Sequence, residues 1–157
     1  MLENASSAIG SPGDTSVVAA VRLAGSGPSN GPGGPHEEFP VGNAAAAVTL
    51  GIMALEGGDL DRAVDLLGRA ADGDPLDPDA HVALGLALAR RGDVALAIAV
   101  LRRAVELDPE QFLARLHLAD LYLRSELARE ARAQLIAAMA VARTAEERSV
   151  VRCLLTA

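Results

Sequence analysis

Apolar residues recur at helical spacing along most of this chain, in stretches that polar turns separate. In three stretches the positions i, i+4 and i+7 are apolar with one exception, and such positions share one face of an α-helix. In chain order the three sets are Val48, Ile52 and Leu55; Val82, Leu86 and Ala89; and Leu116, Asp120 and Leu123, with Asp120 as the exception. The pattern predicts an all-α protein.

The turns between the stretches contain residues that end one helix and begin the next. Gly57 and Gly58 follow the first stretch and Asp59 begins the second, and Gly92 with Asp93 repeats the arrangement. Glycine accepts the left-handed backbone that ends a helix, and aspartate accepts hydrogen bonds from the free amides of the next one. These turns therefore predict helices in pairs, the first pair being Ala44–Glu56 and Leu60–Ala71.

Two further helix starts are visible. Asp77 precedes Pro78, a residue that costs no hydrogen bond at the first position of a helix. Near the end of the chain Thr144 and Glu147 have the spacing of a capping box, in which each side chain bonds the backbone amide of the other residue. We predict seven helices between residues 44 and 156, the last covering the array with Val150, Val151, Leu154 and Leu155.

The helix pairs repeat along the sequence. Leu50-Gly51 recurs as Leu84-Gly85, and Asp74-Pro75 recurs at the same interval as Asp108-Pro109. An interval of about 34 residues is typical of helix–turn–helix repeat arrays. The predicted repeats cover about 44–77, 78–111 and 112–143. The third is weaker, since Leu118-Ala119 replaces the Leu-Gly pair and Glu126 replaces the glycine of the inner turn.

The order of these marks, Leu-Gly, then Ala, a large residue, Ala and Pro, resembles the tetratricopeptide repeat. The resemblance implies a short α-solenoid of three repeats over residues 44–157, closed by a C-terminal helix, and a non-catalytic scaffold for protein–protein interaction. It also implies that the first helices line a concave groove that binds a segment of a partner. The residues predicted to line this groove are Val48, Ile52, Leu55, Val82, Leu86, Ala89, Arg90, Leu116, Asp120, Leu123 and Arg124.

The groove is predicted to take apolar side chains. Chaperone adaptors of this family grip a C-terminal carboxylate with Lys, Asn and Arg, where this chain has Val48, Ile52, Leu86 and His117. An apolar helix face must be covered, and we expect a partner segment with apolar anchors. Alternatives are the chain's own N-terminal segment, a second copy of the protein, or burial by neighbouring helices as the array twists.

A more specific role also comes from resemblance. The chain is similar to the small chaperones of type III secretion translocators. The similarity lies in the three repeats, the acidic pI near 4.9 and the stretches Leu116–Leu123, Glu130-Ala131 and Leu154-Leu155. The Gly- and Pro-rich start departs from those chaperones. A third alternative is the accessory subunit of an enzyme.

Composition excludes several function classes. The net charge of −7 disfavours nucleic acid, whose phosphates require clustered basic residues. All 14 basic residues are arginine, so Schiff-base chemistry and a P-loop lysine are excluded. Cys153 is the single cysteine, so no disulfide within the chain can form. We expect no enzymatic activity and no cofactor.

Metal binding is also disfavoured. The acidic stretch Asp72–Asp79 lacks the glycine and glutamate of a calcium loop, and helix caps and turns explain its aspartates. His36, His81 and His117 lack the i, i+4 spacing of a helical zinc site, so we expect structural or solvated histidines.

Residues 1–43 differ from the rest of the chain. Gly, Ser, Pro and Asn dominate them, most densely over Gly25–Pro35, and such a composition predicts a flexible tail. The one apolar patch, Ser16–Ala24, is either a transient segment or one that folds back onto the repeats. The chain shows neither a secretory signal nor a membrane span, which predicts a cytoplasmic protein.

Overall fold

The computed structural model describes residues 43–156, and within them all regular structure is α-helical. There are seven helices in this part of the chain, as predicted. They are α1 (Ala44–Glu56), α2 (Leu60–Gly73), α3 (Pro78–Arg91), α4 (Val94–Leu107), α5 (Phe112–Arg124), α6 (Ala128–Val141) and α7 (Ala145–Thr156). The predicted tail lies outside the described residues, apart from Asn43.

The helices form three consecutive pairs. The most extensive contacts join α1 with α2, α3 with α4 and α5 with α6, and smaller ones join α2 with α3 and α4 with α5. Helix α7 packs on α6 and closes the array at its C-terminal end. The fold is therefore a short α-solenoid of three helix–turn–helix repeats with a terminal helix.

The predicted caps are mostly present. The Asp59 carboxylate accepts from the Arg62 amide at 3.2 Å, and the Asp77 carboxylate accepts from the Asp79 amide at 2.9 Å. Asp93 stands at the start of α4 but makes no capping bond, because its carboxylate pairs with the Arg91 guanidinium instead. The stop-and-cap arrangement of the first turn is thus only half repeated in the second.

The capping box before α7 is confirmed. The Thr144 hydroxyl accepts from the Glu147 amide at 3.0 Å, and Glu147 Oε2 accepts from the Thr144 amide at 2.9 Å and the Arg143 amide at 2.6 Å. These two backbone amides lower the pKa of the Glu147 carboxyl, because they bond its charged form best.

The covering role predicted for α7 is carried by fewer residues than expected. Val151 is fully buried and Leu154 packs beside it, but Val150 and Leu155 are exposed. Two of the four residues predicted to cover the array therefore face outward.

The core is continuous through the repeats. One cluster of buried side chains runs from α1 to α5 and includes Leu67, Leu84, Leu88 and Leu101. A second cluster joins α5, α6 and α7 around Leu135. Each repeat thus buries its apolar face against its neighbours, as in other solenoids.

Candidate functional site

The first helices of the repeats line the inner side of the array. Helix α1 contacts α3, and α3 contacts α5, whereas no contact of similar extent joins the second helices of the part of the chain described. An array whose first helices approach one another curves toward them. We call the surface that α1, α3 and α5 share the groove.

The predicted groove residues divide into three groups by burial. Ile52 and Leu123 are 40% exposed and give the groove its accessible large apolar side chains. Four residues are half-buried and pack against the core with one edge toward the surface: Val48, Leu86, Ala89 and Leu116. Six of the predicted residues therefore form an apolar surface of uneven depth.

Leu55 and Val82 are buried, which departs from the expectation that they meet a partner. Leu55 is 5% exposed and belongs to the main core, and Val82 is 9% exposed and packs with Ala104 and Ala114. These contacts form because successive repeats are rotated relative to one another. The rotation brings residues of neighbouring helices over the side chains of Leu55 and Val82. Both side chains support the groove from beneath.

The charged residues at the edge of the groove are engaged within the protein. The Arg90 guanidinium donates to the Leu55 carbonyl at 2.9 Å, at the C-terminal end of α1 where a positive charge is favourable. Arg124 lies 3.9 Å from the Asp120 carboxylate one helical turn earlier, and both are more than half exposed. Arg90 therefore links two repeats, a role that the sequence did not indicate.

Two histidines are held within the repeats. His81 is buried, and its Nδ1 lies 2.8 Å from the Asp77 carbonyl, four residues earlier. His117 on α5 is half-buried, and this burial lowers the pKa of its imidazole, with Asp120 opposing the shift. The described residues contain no group of three side chains that could hold a metal ion.

The acidic turn between α2 and α3 has the structure expected of caps and turns. The Asp74 carboxylate accepts from the Leu76 amide at 3.2 Å, and Asp77 caps α3. No helix among the described residues is long and apolar enough to cross a membrane.

An exposed apolar residue outside the groove was missed by the sequence analysis. Met53 on α1 is 61% exposed and borders a depression of about 250 Å³ between α1 and the start of α2. Its equivalent in the second repeat, Ala87, is fully buried. Met53 and Ala87 occupy equivalent positions of the repeat, but no described helix precedes α1 to cover Met53.

Several solved structures share the fold at low sequence identity. The Arabidopsis OM64 TPR domain superposes with a TM-score of 0.68 at 16% identity, over 74% of this chain and 96% of that one. The first TPR of Spaghetti (RPAP3), bound to the HSP90 peptide SRMEEVD, gives 0.66 at 19% identity, over 73% and 91%.

A secretion chaperone is among the similar structures. The Yersinia enterocolitica type III secretion translocator chaperone SycD gives a TM-score of 0.66 at 18% identity, over 73% of this chain and 87% of that one. Likeness at these identities concerns the fold alone. Among curated protein sequences, none matches this chain.

Family models place the repeats directly on the sequence. One tetratricopeptide-repeat model matches residues 48–112 and a second matches residues 88–148. Together they cover residues 48–148, which include most of the first helix pair and all of the second and third. The chain belongs to the tetratricopeptide-repeat family.

Proposed function

We propose that the protein is a non-catalytic interaction scaffold that holds an apolar segment of a partner protein in the groove. The observation that carries the proposal is the exposure of Ile52 and Leu123 at 40% each on the inner helices. An exposed aliphatic side chain gains free energy when another apolar surface covers it.

Burial supplies the affinity in this proposal. Covering apolar surface contributes about 25 cal/mol per Å², and ordering a peptide offsets part of that gain. The groove residues are aliphatic, whereas the strongest interface contacts usually involve Trp, Tyr or Arg. We therefore expect micromolar affinity and a partner segment with two or three apolar anchors.

The charges favour an apolar ligand over a terminal carboxylate. The chain has no lysine, and Arg90 already donates to the Leu55 carbonyl. The Arg124 guanidinium faces Asp120, whose carboxylate would repel an anion bound nearby. Two solved relatives in fold are named as complexes, one with an HSP90 peptide and one with pHsp70, so binding of a partner is compatible with this architecture.

The test compares two equivalent changes on opposite sides of the array. Ile52→Glu places a charge in the groove, and Ile136→Glu places one on α6, where Ile136 is 56% exposed. Partners isolated with the parent protein are titrated against both variants, with folding checked by circular dichroism. We expect Ile52→Glu to weaken binding at least tenfold and Ile136→Glu to leave it unchanged. Equal binding by both variants would exclude the groove.

A chaperone for a type III secretion translocator is a second candidate. The fold shared with SycD over 73% of this chain is compatible with this role, and the resemblance of Leu116–Leu123 and Leu154-Leu155 to such chaperones supports it. This candidate predicts that co-expression with a hydrophobic translocator subunit keeps that subunit in solution, and that Ile52→Glu abolishes the effect. A translocator that precipitates equally with and without the parent protein would remove this candidate.

A further inference from the structure

One end of the array presents an apolar surface that the repeats normally bury. In α3 the side chains of Leu84, Ala87 and Leu88 are fully buried. Their equivalents in α1 are half-buried Leu50, 61% exposed Met53 and half-buried Ala54. We call these three α1 residues the end face.

The difference has a structural cause. Helix α3 has α2 before it and α4 after it, and both pack on it. Helix α1 has α2 after it, but within residues 43–156 no helix precedes it. The end face is therefore the surface on which a second helix of a preceding repeat would lie.

The segment before α1 carries the pattern of such a helix. Four of the seven buried residues of α2, Val64, Leu67, Gly68 and Ala71, form a stripe at positions i, i+3, i+4 and i+7, and Pro75 follows four residues later. In the segment Ser16–Ala24 the same positions hold Val17, Ala20, Val21 and Ala24, and Pro28 follows four residues later. The stripe therefore recurs, with an apolar side chain at each of its four positions in Ser16–Ala24.

We propose that Ser16–Ala24 forms a helix that covers the end face, in the way that α2 covers α3. Asp14 and Thr15 precede it as residues suited to an N-cap, and Gly25 follows as a residue suited to a C-terminal cap. A helix of about nine residues is not stable alone, so packing on the end face supplies its stability.

The connecting chain is long enough for this arrangement. Residues 25–43 link the segment to α1. A Gly-rich chain of about 19 residues spans about 22–26 Å on average, and α1 is about 20 Å long. Helix α2 packs on α3 although only Asp74 to Asp77 connect the two helices. The longer linker of residues 25–43 is therefore sufficient for the proposed contact.

The linker of residues 25–43 also favours Ser16–Ala24 over a second copy of the protein as the occupant of the end face. A short flexible linker gives an attached segment an effective concentration in the millimolar range. The depression of about 250 Å³ between Leu50, Met53 and Arg62 offers room for the apolar stripe of the segment. A covalently attached apolar segment is thus the occupant that the sequence supplies.

Methionine methyl NMR provides a direct test, because the chain has three methionines and one lies on the end face. Met139, half-buried in the second core, reports on the far end of the array. In the full chain, Val17→Glu with Val21→Glu is expected to shift the Met53 methyl resonance toward the position of a solvent-exposed methionine. The Met139 resonance stays in place, and the control Ile9→Glu moves neither.

A spin label identifies the occupant. In a Cys153→Ser background, which replaces the exposed free cysteine, a label on Ala19→Cys is expected to broaden the Met53 methyl and to spare Met139. A mixture of spin-labelled chains with separate isotope-labelled chains is expected to show no broadening. Broadening in the mixture would assign the end face to a second copy and overturn the proposal. A Met53 methyl that responds to neither the double variant nor the label would overturn it as well.

Discussion

Gly85 on α3 lies directly against Leu101 on α4. A Cβ atom built on Gly85 would lie 2.6 Å from Cγ of Leu101, a fully buried side chain. The first repeat has the same relationship, with 2.5 Å between a Cβ on Gly51 and Cγ of Leu67. The glycine of the Leu-Gly pair therefore sets how closely the two helices of a repeat approach.

We predict that Gly85→Ala lowers the free energy of unfolding by about 1–3 kcal/mol, and Gly85→Leu by more, because the added atoms enter a filled contact. The gain in helix propensity, about 1 kcal/mol, does not offset this. The matched control is Gly68→Ala, since Gly68 is also helical and buried but a Cβ there meets nothing within 4 Å. Gly68→Ala is expected to stabilise the protein. Urea denaturation gives both values, and loss of stability in both variants would contradict the explanation.

Glu126 occupies a backbone conformation that glycine adopts at the equivalent position. Its φ is +60°, and Gly92, at the same place in the preceding repeat, has a φ of +103°. A side chain in the left-handed region costs about 1–2 kcal/mol, and the greater freedom of glycine in the unfolded chain returns part of that. We predict that Glu126→Gly raises the melting temperature. Glu110→Gly, in a turn without positive φ, is expected to lower it, and a lower value for both variants would refute the prediction.

The helices could be predicted from the sequence because their limits depend on local residues. Thr144 and Glu147 cap α7 through atoms only three residues apart, and Gly92 ends α3 through its own backbone. Such interactions are complete within one turn of chain. The regular interval between Leu50-Gly51 and Leu84-Gly85 then indicated how the helices pair.

The site was predicted less completely because the burial of its side chains depends on how successive repeats are rotated relative to one another. Helical spacing put Val82 and Leu86 on one face, but Val82 lies under Ala104 and Ala114 while Leu86 remains half-buried. Arg90 similarly bonds a carbonyl 35 residues away. Contacts across that distance depend on the relative orientation of the helices, which residue spacing does not specify.

Thr144 is predicted to hold α7 on the array. Thr144→Ala removes the acceptor for the Glu147 amide and is expected to cost about 1 kcal/mol, the usual value for a lost N-cap. Because most contacts of α7 are with one helix, α6, the loss is expected as faster hydrogen exchange of the α7 amides. Thr156→Ala is the control, since its hydroxyl donates only to carbonyls of the last turn. Equal acceleration by both variants would show that the cap does not limit opening.

The last prediction concerns acid. Burial lowers the pKa of His117 from 6.5, so the folded protein binds a proton less readily than the unfolded chain. The contribution of His117 to the free energy of unfolding is therefore most favourable above pH 6.5. It decreases as the pH falls from there toward the pKa of the folded state, because the unfolded chain binds the proton first. One full proton changes stability by about 1.4 kcal/mol per pH unit. Because His117 is only partly buried and Asp120 opposes the shift, we expect a fraction of that change.

The measurement is urea denaturation of the parent and His117→Gln at several pH values between 7.5 and 5.5. The parent is expected to lose more stability than His117→Gln over this range, because glutamine binds no proton. The control is His36→Gln, the same change at a position outside the described residues, and it is expected to follow the parent. Carboxyl groups that begin to titrate near pH 5.5 affect all three proteins alike and cancel in the difference. If the parent and His117→Gln lose stability in parallel, the surroundings of His117 do not disfavour its charged form.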